Sequence, residues 1–461
     1  MASLFGKESW HSALEEPLIE RANTETGQQS VAHKLDFPRL SAALLANGLL
    51  RIASSTEGVL IGFYLAYLAK LGRPVDAALL GALGVVINGA ELISAIPIGI
   101  LTDRIPIRAV LVGGALLGAV ASQLFGFTGL ILIFYISRAL EGVSNASSSP
   151  PLLVHLTDIT QHDPATRGRV MSFFQVTLLT GIALGGLLAG VLWTAIRVYS
   201  FSVLAGIYLV VAVLFYWGVG PQPAAKATAD GQSPSPKTHA PEHALSGFIQ
   251  ALKDPLVRRL APAWVAMNAI VGLWLTHVSF QLSGLPITGQ YLTGRFTPRQ
   301  VGMILLVYAI TFAVGVTLWG LVLARMDRLF ALRISLVASF LLCLSLFLLN
   351  NPRIWTGRLH TLVLPLAGLS VLASSGFTPA ALSYLADVVA KKEGRGSAMG
   401  LYTFLFGLGN LLGAALGGLL AHRYAFNGLV LGSVMLAAVA LAGVALLSNP
   451  TAAPPPIQDI N

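Results

Sequence analysis

At 461 residues, 55% hydrophobic and only 11% charged, this chain is too apolar for an ordinary soluble protein, in which about a quarter of residues are charged. A net charge of +9 would suit a nucleic-acid binder, but the positions of the basic residues assign that excess to membrane topology. The single cysteine, Cys343, excludes an intramolecular disulfide, and no GxxxxGK[ST] loop or HExxH pair occurs, so ATP hydrolysis and zinc proteolysis are not expected.

Residues 1–39 are polar, lack the apolar core of a cleavable signal and read as a tail. Twelve apolar runs follow, near 41–68, 77–101, 108–128, 129–157, 170–193, 197–219, 261–284, 301–324, 332–350, 361–387, 397–421 and 427–448. Each is about long enough to cross a hydrocarbon core of roughly 30 Å. No strand-like alternation recurs, which argues against a barrel. The expected fold is an all-α polytopic membrane protein, with twelve transmembrane helices in two six-helix pseudo-symmetric bundles at 40–219 and 259–448. Between them, 220–258 is rich in Pro, Ala, Ser and Lys and reads as a linker. Its end, with Phe248, Ile249, Leu252 and Leu256 beside Lys253, Arg258 and Arg259, suits an amphipathic helix on the membrane surface. Residues 449–461 form a second tail. With the N-terminus inside, nineteen Lys and Arg fall on the inner side and eight on the outer, which puts both termini in the cytoplasm.

The two bundles are copies. Pro150 and Asp158 recur as Pro379 and Asp387 at an offset of 229; Arg167, Gly168, Gly181, Gly185 and Gly190 recur as Arg395, Gly396, Gly409, Gly413 and Gly418 at 228. The offset changes inside a polar turn, where a gap is tolerated. Both copies therefore run through the bilayer in the same direction.

Five ionisable residues fall inside apolar runs, all in the first half: Arg51, Glu57, Glu91, Arg138 and Glu141. Each costs at least about 2.5–3.5 kcal/mol at membrane depth, so each needs a partner or a task. Asn47, Arg51 and Ser54 share a helix face that Glu57 borders; Asn88 and Glu91 share another; Arg138, Glu141, Asn145 and Ser148 share a third. At a rise of about 1.5 Å per residue, Glu57 and Arg138 lie about 16 and 14 Å below the outer surface, Arg51 and Glu91 about 25 and 21 Å. Depth thus pairs Glu57 with Arg138 and Arg51 with Glu91, with Glu141 as a surplus carboxylate able to carry a proton. A static Arg138–Glu141 pair is the alternative. The second half offers Trp274, His277 and Gln281 on one face and Tyr402, Phe406 and Asn410 on another, either a substrate wall or helix packing. No metal site is expected, since His277 has no second ligand at metal spacing.

These features resemble the major facilitator superfamily of transporters. Gly99-Ile-Leu-Thr-Asp103-Arg104-Ile-Pro-Ile-Arg108 is similar to that family's loop motif, with Pro106 and Ile107 where the family carries glycine and arginine. Arg138-Ala-Leu-Glu141-Gly142 with Ala146 and Pro150 is similar to the fourth-helix motif of proton-driven members. Gly181-x-x-x-Gly185-Gly186-x-x-x-Gly190 is similar to the antiporter motif, with Gly186 in place of its proline. The resemblance implies that spans 1 and 4 line a central cavity. It further implies a cytoplasmic gate at Gly99, Asp103, Arg104, Arg108, Asp158 and Arg167, and a monomeric transporter of the plasma (inner) membrane that needs no cofactor. The expected function is proton-coupled efflux of a hydrophobic or amphipathic small molecule, its partners being substrate, protons and membrane lipid, with no nucleic acid. A symporter or facilitator for a polar or lipid-like solute remains open, as does a non-transporting receptor or scaffold.

Overall fold

The computed structural model describes residues 36–160, 164–220, 255–323, 325–352, 359–389 and 395–447. The expectations for the N-terminal tail, the linker and the C-terminal tail fall almost wholly outside these residues. The first half comprises α1 (Phe37–Lys70), α2 (Ala77–Arg104), α3 (Ile107–Phe127), α4 (Ile131–Ala146), α5 (Ser149–Ile159), α6 (Pro164–Ile196) and α7 (Ser200–Gly218). The second comprises α8 (Pro255–Ser283), α9 (Pro298–Val322), α10 (Arg328–Asn350), α11 (Leu359–Ser374), α12 (Phe377–Val389), α13 (Arg395–Tyr424) and α14 (Phe426–Ala445). There is no strand among the described residues.

Pairs α4–α5 and α11–α12 are each one crossing with a break in it, so these helices make twelve spans in two bundles of six. Ten stretches qualify as crossings by length and hydropathy alone. One of them, Ala183–Gly218, runs through the joint between α6 and α7. The α4–α5 crossing is not among them; it holds Arg138, Glu141 and the serine-rich break at Ser147–Ser149. Local chemistry sets the helix starts. The Asp76 carboxylate accepts from the Leu79 amide at 2.9 Å to cap α2, and Asp327 accepts from Leu329 at 2.8 Å to cap α10. Thr297 and Gln300 form a reciprocal capping box at α9.

The duplication is visible in the backbone. The break after Ala146 and the restart at Ser149 recur after Ser374 and at Phe377, each 228 residues on. The joints that turn α6 into α7 and α13 into α14 carry positive φ at Arg197 (48°) and Ala425 (51°), again 228 apart. A side-chain-bearing residue adopts this region at a cost, and both copies bear it at the same joint. Helix α6 packs on α1 of its own bundle and α9 of the other; α13 packs on α8 and on α2. These are the same contacts after exchange of the halves, which is a pseudo-twofold.

Each bundle has its own core. In the first, Phe125 stacks on Phe134 with centroids 4.5 Å apart, and Tyr64 meets both rings and Phe201 edge-on. In the second, Trp264, Leu332, Phe377 and Tyr384 are buried together. Small residues bring the backbones close where apolar burial gives no drive, since lipid is as apolar as the core. A Cβ on Gly413 would collide with the Ala269 carbonyl of α8, and one on Gly181 with Arg51 of α1.

The halves meet mainly at the face remote from the start of α1, here the far face; the opposite one is the terminal face. A Cβ on Gly81 of α2 would lie 2.7 Å from the Gly418 Cα of α13, and one on Gly186 of α6 2.8 Å from the Leu305 side chain of α9. Lys70 donates to the Ser283 carbonyl at 2.6 Å, and His422 Nδ1 lies 2.9 Å from Asp76. All of these join one bundle to the other at or toward the far face. Toward the terminal face, a Cβ on Gly99 or Gly168 would have no neighbour within 4 Å, and Ile93, Ile96 and Phe173 are exposed. Among the described residues the halves are joined at one face and parted toward the other.

Candidate functional site

The five charged residues converge between α1, α2, α4 and α7 of the first bundle, in two layers. The outer layer is half-exposed. Here Asn145 of α4 bridges two helices: its Nδ2 donates to Glu91 Oε2 of α2 at 3.5 Å, and its Oδ1 accepts from Ser54 of α1 at 3.3 Å. The Arg51 guanidinium donates to Ser148, at 3.3 Å, and to Ser149, at the break between α4 and α5, and lies within electrostatic reach of Glu91.

The inner layer is sealed. Glu57 is 0% exposed, Glu141 and Tyr208 1% and Arg138 8%. Arg138 hydrogen-bonds Glu141, three residues on along the same helix. Glu57 Oε2 accepts from the Tyr208 hydroxyl of α7 at 3.2 Å, while its Oε1 is buried without a hydrogen-bond partner. Glu57 interacts electrostatically with Glu141 and then Arg138, and Glu141 in turn with Glu91. The three acids therefore form a series from a half-exposed carboxylate to a fully enclosed one.

The depth-based pairs do not form as ion pairs. Arg138 takes the nearer carboxylate on its own helix, because residues three apart in a helix already face each other. Glu57, at the edge of its polar stripe, turns to α7 instead. Arg51 and Glu91 are neighbours that each bond a neutral group on span 4 rather than one another. Tyr208 is the site residue that periodicity missed. It is a mid-helix hydroxyl in an otherwise apolar stretch, and the one sequence cue is that a buried tyrosine hydroxyl needs a polar partner.

Several predicted cavity residues are hydrogen-bonded within their own helix or bundle. The Asn47 amide donates to Thr177 of α6 at 2.7 Å, and Asn88 to the Gly84 carbonyl of its own helix at 2.7 Å. Trp274 Nε1 donates to Ser433 of α14 at 2.8 Å, with its ring edge-on to Phe426, so it faces the interior of its bundle. His277, fully buried, has Nε2 3.1 Å from the Ala414 carbonyl and its ring where a Cβ of Gly417 would sit. Gln281 is buried too, and Asn410 donates to the Phe406 carbonyl one turn back at 3.2 Å, while Phe406 itself is exposed. Stripes of aromatic and amide residues mark any interface, and here the neighbours on α13 and α14 claim Trp274 and His277. The side chain of Tyr402 lies outside the described residues.

Of the predicted gate, Gly99, Arg104 and Asp158 are exposed at the terminal face, and Arg167 is half-exposed there. Arg108 lies over the Tyr216 ring of α7 at 3.8 Å, a cation–π contact inside the first bundle. The side chain of Asp103 lies outside the described residues. No cluster of potential metal ligands occurs among those described.

The sequence profile of the Major Facilitator Superfamily matches residues 44–296 and 279–459. Multidrug resistance protein 2 of Bacillus subtilis (strain 168) is 24% identical over 72% of this chain and 77% of its own. The inner membrane transport protein YajR of Escherichia coli (strain K12) is 22% identical over 83% and 79%. Among solved structures, a bacterial homolog of the human lysosomal transporter Spinster, in an inward-facing and unoccupied conformation, superposes with a TM-score of 0.66 at 14% identity, covering 88% of this chain and 96% of that one. A point mutant of the nucleoside transporter NupG gives 0.65 at 13% identity, covering 88% and 98%.

Proposed function

Because this chain belongs to the major facilitator superfamily, and so is a multi-pass membrane transporter of small molecules and not an enzyme, we propose that it couples proton movement to export of a hydrophobic or amphipathic solute. One observation carries the reading: the series Glu91, Glu141, Glu57 from a half-exposed layer into a sealed one. Three carboxylates share two arginines, and the innermost has one hydrogen bond and one orphaned oxygen. An uncompensated carboxylate at that depth is costly, and a proton on it removes the charge. The second bundle has no acid or lysine within its helices up to Val389 except at their ends, so it is suited to an apolar or weakly polar solute. The multidrug relative supports the choice of solute. Alternating access then exchanges the far-face closure for closure at the terminal face. With the terminal face in the cytoplasm of a plasma-membrane monomer, the parted side admits solute from within.

The test is transport by the purified full chain in proteoliposomes with an imposed pH gradient, against a panel of lipophilic cations, lipids, nucleosides and sugars. The expected result is gradient-driven movement of a lipophilic solute that is lost in at least one of Glu57→Gln, Glu91→Gln and Glu141→Gln. If all three variants keep gradient-driven transport, protons are not carried there. Proton symport of a polar solute is the second reading, favoured by Gly186 standing where the antiporter motif has proline; uptake of a nucleoside or sugar down the proton gradient would select it.

A further inference from the structure

The most enclosed carboxylate is held from a helix that supplies no charge of its own. Helix α7 has no Asp, Glu, Lys or Arg, and Tyr208 projects from it to place its hydroxyl 3.2 Å from Glu57 Oε2. The ring is 1% exposed and sits in a slot that α3 provides by having glycine at 118. A Cβ there would lie 2.6 Å from the Tyr208 Cε1 atom, 2.8 Å from Cδ1 and 2.9 Å from the Ser144 hydroxyl. That is far inside ordinary contact, so the ring would have to move.

The surroundings leave Tyr208 as the main group that orients this carboxyl. From α4, Arg138 is engaged with Glu141, and both act on Glu57 through space. From α3, the Ser122 hydroxyl also acts on Glu57, more weakly than Tyr208, while its own hydrogen bond goes to the Phe201 carbonyl at 3.2 Å. From α2, Glu91 reaches Glu141 rather than Glu57. On α1 itself, Ser54 and Arg51 lie on the Tyr208 side of the cluster. Helix α6 carries no charged side chain from Val170 to Ile196 where it runs along α1.

We propose that Tyr208 is the positioning residue for Glu57. Its hydroxyl, seated by the gap at Gly118, fixes the carboxyl's orientation toward Glu141 and sets the pH at which that carboxyl exchanges its proton. This inference rests on Glu57 being a proton carrier. A hydrogen bond to a charged group contributes more than one between neutral groups. Its loss at a buried site should therefore displace the titration by about one pH unit or more.

The experiment is an infrared pH titration of the purified full chain in lipid nanodiscs, with protons as the only probe and no substrate required. The Glu57 carboxyl band is assigned as the component lost in Glu57→Gln. In Tyr208→Phe the midpoint of that band is expected to move by about one pH unit or more, with the folded yield unchanged. Gly118→Ala, which leaves both groups in place but displaces the ring, should move it the same way, and it asks the same question should Tyr208→Phe fail to insert. An unmoved midpoint in either folded variant, with the Glu57 band present, overturns the role of Tyr208 and leaves proton carriage by Glu57 standing. If Glu57→Gln removes no titrating band, Glu57 is not a carrier and both readings fall.

Discussion

The far-face closure can be loosened at one atom. Gly81 and Gly418 touch backbone to backbone across the two halves: a Cβ built on Gly418 would lie 2.9 Å from the Gly81 Cα and 3.2 Å from the Ala77 carbonyl oxygen. Carbon–carbon contacts settle at roughly 3.5–4.0 Å, so Gly418→Ala requires α2 and α13 to separate by about 0.6–1 Å. No flexible side chain can yield here, because the atoms met are main chain. Overpacking of this kind costs about 1–3 kcal/mol. A transporter that parts these helices in its other state bears that cost in one state only, so the substitution biases the equilibrium by roughly 5- to 150-fold toward far-face opening. Double electron–electron resonance between spin labels at Leu71 and Leu285, exposed on opposite halves of the far face, reads this as a longer distance component. Cys343 is buried and contributes little background labelling. A folded Gly418→Ala protein with the parent's distance distribution would refute the reasoning.

Other consequences are simpler to check. Arg138→Ala leaves Glu141 and Glu57 with an uncompensated buried charge, about 3–5 kcal/mol, and should lower the thermal midpoint in detergent and abolish transport, whereas Glu141→Gln, which leaves Arg138 with Glu57 within electrostatic reach, should lower the midpoint less. Asn350, fully buried, accepts from the Leu292 amide at 2.8 Å and donates to Gln290 at 3.0 Å and Asn427 at 2.9 Å. Asn350→Leu orphans the Leu292 amide at about 1–3 kcal/mol and leaves Gln290 and Asn427 with only Thr293 and Asn351 as donors, and should lower the melting temperature more than any single change in the Glu91–Asn145 layer. Trp274→Phe keeps the ring beside Phe426 and loses one hydrogen bond, about 0.5–1.5 kcal/mol; it should cost stability and leave substrate KM unchanged, since a shifted KM would put Trp274 back on the solute's path.

The order of the helices, their break points and the duplication follow from local properties of the chain. An apolar run must cross the bilayer with its backbone bonded within itself, whatever its neighbours do. A repeat at a fixed offset must fold twice alike, and so the paired turns at Arg197 and Ala425 were implicit in the 228-residue spacing of the glycines. The paired breaks after Ala146 and Ser374, also 228 apart, lie where the sequence match of Pro150 with Pro379 gave 229. The five charges stood out because each is improbable at its depth. Their partners were a different matter. A helical wheel places Glu57 on a face, but which helix that face meets depends on how small residues let backbones approach: Gly181 and Gly185 bring α6 against one side of α1 and leave another side to α7. Tyr208 illustrates the limit, since within an apolar helix one aromatic hydroxyl carries no periodic signal. Trp274 and His277 show the converse, a polar-aromatic stripe that reads equally as cavity or contact until α13 and α14 are set beside it. Local free energies decide which segments cross the membrane, whereas the rotation of each helix about its axis is decided by contacts between residues far apart in the chain.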